Sequence, residues 1–157
     1  MTLLIVRHAH AGQRRAWDGD DTTRPLSDLG QRQAKALVNL LAPHQPRTIL
    51  TSPTVRCRQT VEPLGDKLDV VVEDDDRLFE GAGRSAIESL LDDVARKRTT
   101  VLSSHGDVIP ALLHELVERG MTHEKRLVWQ KASVWAIEYS KKRGWGAATY
   151  FAPPKAG

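Results

Sequence analysis

The chain carries one cysteine, Cys57, so no internal disulfide can form. That suits a reducing compartment, and the cytoplasm is the expected location. No apolar run approaches the roughly 20 residues of a membrane span. The amino terminus lacks the charged-then-apolar pattern of a secretory signal, so no membrane partner is expected. Charge of one sign is also scarce, with 23 Lys and Arg against 20 Asp and Glu, formally +3. So weak and scattered an excess gives no footing for nucleic acid. Its short clusters, Arg96-Lys97-Arg98 and Lys141-Lys142-Arg143, read as solvated turns or helix ends. Internal repeats and low-complexity tracts are missing too. What remains is ordinary globular composition, 40% hydrophobic and 27% charged over 157 residues. That is enough for a single domain, 1–157, with a substantial core.

Leu3 to Val6 is an uninterrupted apolar run, the mark of a strand buried on both faces in a parallel sheet. It delivers Arg7 and His8 side by side. A polar loop follows from Arg14 to Arg24, with Trp17 inside it. Ser27 is a good N-cap for a helix over 28–41, with Ala34, Leu37, Val38 and Leu41 as its apolar stripe. A second strand is expected at 48–51. A second helix starts at Ser52-Pro53, with proline in its favoured first position, and fades by Pro63. A third strand is expected at 68–72, a polar loop at 74–83 and a helix at 85–96. A fourth strand at 99–102, a helix at 108–118 and closing strands at 133–139 and 146–151 complete the order. Alternating strands and helices predict an α/β sandwich, a mainly parallel central sheet flanked by helices.

In such sheets ligands bind where strands end at their carboxyl edge. Arg7 and His8 follow the first strand, Arg56 the second, Glu80 the third and His105 the fourth. A parallel sheet brings all five to one crevice. Guanidinium forks match phosphate oxygens in bidentate fashion. The helix after His105-Gly106 adds backbone donors and its dipole. A neutral histidine facing phosphorus can act as nucleophile, and cationic arginines beside it favour the neutral ring. A carboxyl, Glu80 or one of the neighbouring Asp74, Asp75 and Asp76, can protonate the leaving oxygen and then deprotonate water, an acid role that makes sense only with substrate bound.

Four segments carry a resemblance: Val6-Arg7-His8-Ala9, the run from Ser52-Pro53 through Arg56 to Thr60, Leu78-Phe79-Glu80-Gly81, and Ser104-His105-Gly106. In that order they resemble the elements of the histidine phosphatase (phosphoglycerate mutase-like) superfamily, over nearly the whole chain. Arg24-Pro25-Leu26-Ser27 with Gly30 is most similar to the small SixA-type members. Closer still is the histidine phosphatase domain that follows the Nudix domain in some actinobacterial MutT-type proteins. That domain shares Trp17-x-Gly19-Asp20-Asp21 and the run around Cys57; a Nudix part is absent from this chain. The resemblance implies a phosphoglycerate mutase-like fold and a phosphatase without cofactor. It implies His8 as the phosphorylated nucleophile, Arg7, Arg56 and His105 as the phosphate pocket, and Glu80 as the acid. Arg24 matches a pocket-lining arginine of the SixA type. Ala9 stands where the family has glycine; alanine is the smallest replacement, and activity is expected to survive it.

Other residue patterns offer competing chemistries. His8-x-His10 with Asp18, Asp20, Asp21 and His105 has metal-ligand chemistry, but it leaves Arg7 and Arg56 unexplained. Gly81-Ala82-Gly83-Arg84-Ser85-Ala86 formally fits a dinucleotide fingerprint but lacks its tight strand-to-helix turn. Cys57 lacks the arginine six residues on that a cysteine phosphatase needs, since Pro63 stands there. Trp17 is a candidate to stack on a substrate ring, or a hydrophobic anchor for its loop. Trp129 and Trp135 read as core, and His44, His114 and His123 as surface or packing residues. The expected substrate is a nucleotide or other phosphorylated small molecule, with a phosphohistidine protein as the alternative in signalling. A binding module that keeps the pocket with slow turnover is the third reading.

Overall fold

The structure, a computed structural model, describes residues 1–156. One seven-stranded sheet has four helices around it. Its strands are β1 (Thr2–Arg7), β2 (Thr48–Thr51), β3 (Val72–Asp74), β4 (Thr100–Ser104), β5 (Thr122–His123), β6 (Val134–Ser140) and β7 (Gly144–Phe151). The helices are α1 (Asp28–Leu41), α2 (Val55–Leu68), α3 (Arg84–Val94) and α4 (Val108–Glu118). Strand order is β3-β2-β4-β1-β6-β7-β5. The β3, β2, β4 and β1 neighbours are parallel, whereas β6 lies antiparallel to both β1 and β7.

Alternation along β1 explains the layers. Leu3 and Ile5 face a core with Leu90 and Leu91 of α3, Leu112 and Leu116 of α4, and Trp135. Leu4 and Val6 face the other core, with Leu37 and Leu41 of α1 and Val61 and Leu64 of α2. Each such side chain contributes roughly 1.5–3 kcal/mol on leaving water. A strand between two helical layers must be apolar on both faces, which is why the run has no polar interruption.

Helix α1 begins where expected: the Ser27 hydroxyl accepts from the Gly30 N–H. Helix α2 differs from expectation at both ends. It starts at Val55 with Thr54 as N-cap, because Ser52 still belongs to the sheet edge through its N–H to the Ser103 carbonyl. It also passes through Pro63 to Leu68, and β3 starts only at Val72. Proline removes one helical hydrogen bond, but Val61, Leu64 and Gly65 are buried beyond or beside it, and that burial carries the helix on. Asp69, at φ 55°, turns the chain out of α2. The other boundaries shift by one to two residues, and β5 was not anticipated.

Neighbouring strands β1 and β4 send their following helices to opposite faces, α1 to one core and α4 to the other. The chain therefore parts at their carboxyl ends, and a crevice opens there, as expected of such a switch point.

Candidate active site

The crevice is a cavity of about 770 Å³ lined by Arg7, His8, Gly12, Gln13, Arg14, Arg15, Arg24, Arg56, Glu80, His105, Gly106, Asp107 and Lys131. Seven of the eight residues singled out from sequence are in that wall. Trp17 is not: its indole N–H donates to the Asp20 carbonyl at 3.0 Å, and it fastens its own loop.

His8 leaves the end of β1 with its backbone N–H on the Ser104 carbonyl. Its Nδ1 lies 2.8 Å from the Ala9 carbonyl. A carbonyl only accepts, so Nδ1 carries the proton and the lone pair of the neutral ring is on Nε2. Burial pushes the His8 pKa down to about 3; Arg56, His105 and Arg7 push the same way, and the Ala9 carbonyl opposes them. Burial outranks the arginines, the cause expected from sequence. Ala9 is fully buried, is not among the residues with positive φ, and gives its N–H to Thr60 Oγ1. Thr60 in turn donates to the Arg56 carbonyl within α2, so its hydroxyl joins that helix to the loop after β1.

Arg7 donates from Nη1 to the Trp129 carbonyl at 2.8 Å. Its guanidinium lies flat against Gly106, where an added Cβ would sit 2.7 Å from Nη2 and 2.9 Å from Cζ. A side chain there would displace the guanidinium. Arg56 is 1% exposed. It donates from Nη1 to the Asp21 carbonyl at 2.9 Å and from Nη2 to Glu80 Oε1, and Nη2 also forms an ion pair with Asp21 Oδ2 at 3.2 Å. The Nε atoms of both arginines are buried without a hydrogen-bond partner among the described residues. An unpaired buried donor costs about 1–3 kcal/mol, more when charged.

His105, 2% exposed, holds Ser52 Oγ at 2.8 Å from Nε2 and Glu80 Oε1 at 3.1 Å from Nδ1. Burial pushes its pKa down to about 4 against the opposing pull of Glu80, with Arg56 acting in the same direction as burial. The neutral ring thus donates from Nδ1 to the carboxylate and accepts from the Ser52 hydroxyl. The Glu80 loop is pinned twice, by Ser104 Oγ to the Leu78 carbonyl and by the Gly81 N–H to Asp107 Oδ2. Arg24 is tied to the Ala11 carbonyl and to Asp21. Beside the neutral histidines, the wall presents six cationic side chains and two carboxylates.

The competing sequence readings meet different geometry. His10 turns away from the cavity to Ser27 Oγ, 2.6 Å from its Nδ1, so the pairing of His8 with His10 as ligands does not form. No group of three or more His, Cys, Asp or Glu side chains among the described residues is arranged to hold a metal ion. Cys57 is buried beside His105, and burial pushes its thiol up to about 12, which leaves it unreactive. Sequence reasoning missed Lys131, Arg14, Arg15, Asp107 and the contacts of Ser52 and Asp21. Asp21 had a usable signal in its spacing three residues before Arg24; Lys131 belongs to no motif.

The model of the histidine phosphatase superfamily (branch 1) matches residues 3–85, which include Arg7, His8, Arg24, Arg56 and Glu80. This chain belongs to the histidine phosphatase superfamily. Among curated proteins it is 36% identical to an 8-oxo-(d)GTP phosphatase of Mycolicibacterium smegmatis, over 98% of this chain and 48% of that protein. The chain thus spans about half the length of that relative. Among solved structures, the protein histidine phosphatase SixA in complex with tungstate superposes with a TM-score of 0.75 at 21% identity, covering 97% of this chain and 95% of that one. The SixA-type phosphohistidine phosphatase structure from Nakamurella multipartitia gives 0.75 at 24% identity with the same coverage. These likenesses establish a phosphoglycerate mutase-like fold for this superfamily member. No helix among the described residues is long and apolar enough to cross a membrane.

Proposed function

We propose that the protein hydrolyses phosphate monoesters, without a metal, through a phosphohistidine on His8. The observation that carries the reading is that the guanidinium groups of Arg7 and Arg56 line one cavity with a neutral histidine, His8, whose free lone pair is on Nε2. Guanidinium groups supply the positive charge that a metal would otherwise bring, in a geometry matched to phosphate oxygens. The amino terminus of α4, behind Gly106, adds its dipole. The substrate phosphate lies against Arg7, Arg56 and His105. Nε2 attacks phosphorus, the bond to the leaving oxygen breaks, and Glu80 gives that oxygen a proton. Water then attacks the phosphohistidine, the P–N bond breaks with its electrons returning to Nε2, and Glu80 takes the proton of water.

The substrate we favour is a nucleotide or another small phosphorylated metabolite. Support comes from the curated relative, at 36% identity, and from a cavity whose size suits a small molecule. The experiment is phosphate release from a panel of phosphomonoesters and from a phosphohistidine protein, with and without a chelator. Release from small esters unaffected by the chelator is expected. Turnover confined to the phosphohistidine protein would move the substrate to a partner protein. Loss in chelator, restored by one divalent metal, would overturn the mechanism.

A further inference from the structure

The site has a wall outside the matched family segment: the turn at 129–133 before β6. Its backbone is welded to the catalytic strand. The Ala132 N–H reaches the Arg7 and His8 carbonyls at 3.1 and 3.2 Å, and the Arg7 N–H reaches the Ser133 carbonyl at 3.2 Å. The Trp129 carbonyl holds the Arg7 guanidinium. Ala132 is fully buried at φ 65°, a left-handed conformation that alanine rarely adopts. Strain of this kind, about 1–3 kcal/mol, persists where the surroundings impose it, commonly at functional sites. Here it turns the chain so that Lys131 lines the cavity.

Lys131 is half-buried, and the charged groups that act on it are Arg7, Arg24 and Arg56, all cations; burial and these neighbours lower its pKa. It enters no ion pair among the described residues, unlike Arg14, Arg24 and Arg56. A lysine in that position lacks an anion. One transferred phosphate is already served by Arg7, Arg56, His105 and the start of α4. With Asp21, which pairs with Arg14, Arg24 and Arg56, six cations face three carboxylates, a surplus one greater than a phosphate dianion neutralises, and about 770 Å³ is ligand-sized rather than ion-sized.

We infer that Lys131 binds a second anionic group of the substrate, so that the preferred substrates carry two phosphates close together rather than one. This rests on the inner cradle being the phosphate site, as in the proposed function. Methylenebisphosphonate and methylphosphonate are the probes, measured by calorimetry on the wild-type chain, Lys131→Ala and Lys131→Arg. The wild type should bind the bisphosphonate at least tenfold more tightly than the single phosphonate. Lys131→Ala should remove most of that ratio, and Lys131→Arg should retain it. A wild type without the preference, or an equal loss for both ligands in Lys131→Ala, overturns the inference. Either result leaves intact any turnover of simple esters, whose absence would instead count against the catalytic reading alone.

Discussion

Gly106→Ala isolates the role of the Arg7 guanidinium. Gly106 is not among the glycines with positive φ, so alanine introduces no backbone strain. Its Cβ would meet Nη2 of Arg7 at 2.7 Å, Cζ at 2.9 Å and Nε at 3.2 Å. Ordinary contact begins near 3.4 Å, so the guanidinium must retreat by about 0.7 Å or more. Its Nη1 anchor on the Trp129 carbonyl is stretched, and the guanidinium is displaced from its place in the cavity wall. The far end of an arginine can shift without unfolding the core, and overpacking typically costs about 1–3 kcal/mol. A misplacement near 1 Å in a catalytic constellation is worth up to about 10²-fold in rate. The variant should therefore melt within several degrees of the wild type while kcat/KM on nitrophenyl phosphate falls about 10- to 100-fold. Inhibition by tungstate or vanadate should weaken in parallel. A folded variant with wild-type kcat/KM would refute the placement of Arg7 against the phosphate.

Glu80→Gln should cut turnover of alkyl phosphates by about 10²–10⁴ and that of nitrophenyl phosphate far less, since an alkoxide needs a proton and a nitrophenolate does not; equal losses would make Glu80 a positioning residue. Acid should weaken the fold before the carboxylates titrate. His8 and His105 stay neutral in the folded chain down to about pH 3 and 4, but in the unfolded chain they take up protons near 6.5. Between those values the unfolded state binds more protons, so stability is lost as pH falls from 6.5. The slope is up to about 1.4 kcal/mol per pH unit for each histidine. Urea midpoints between pH 7 and 5 should fall for the wild type and fall less for His8→Ala; a flat wild-type profile would contradict the buried neutral rings. Iodoacetamide at pH 8 should leave Cys57 unmodified in the native chain and label it in urea, because the thiol is buried and held protonated; rapid native labelling would reopen a role for the cysteine.

Much of this architecture is written in local pattern. The apolar run of β1 and the Ser27 cap mark their elements through period and capping chemistry, and strand-end placement brought Arg7, His8, Arg56, Glu80 and His105 to one edge before any coordinates. Where reading failed, distant packing decided. Pro63 signalled a helix end locally, yet burial of Leu64 and Gly65 carries α2 past it. Ser52 looked like a helix cap, yet it is spent on His105 and the sheet. Trp17 sat in a polar loop near the cavity mouth, and only its hydrogen bonds show that it closes that loop on itself. Lys131 was invisible because nothing in its neighbours announces a left-handed alanine beside it. The order of causes behind the neutral His8 also needed burial, which sequence does not display.

The central claim is the phosphohistidine on His8. The direct measurement is a rapid, acid-free quench of the chain with ³²P-labelled ester, followed by mass mapping of the phosphorylated peptide. The account predicts an acid-labile, base-stable phosphate on His8, and a folded His8→Ala chain that neither labels nor turns over. Substantial turnover by well-folded His8→Ala, or label on another residue, would contradict it.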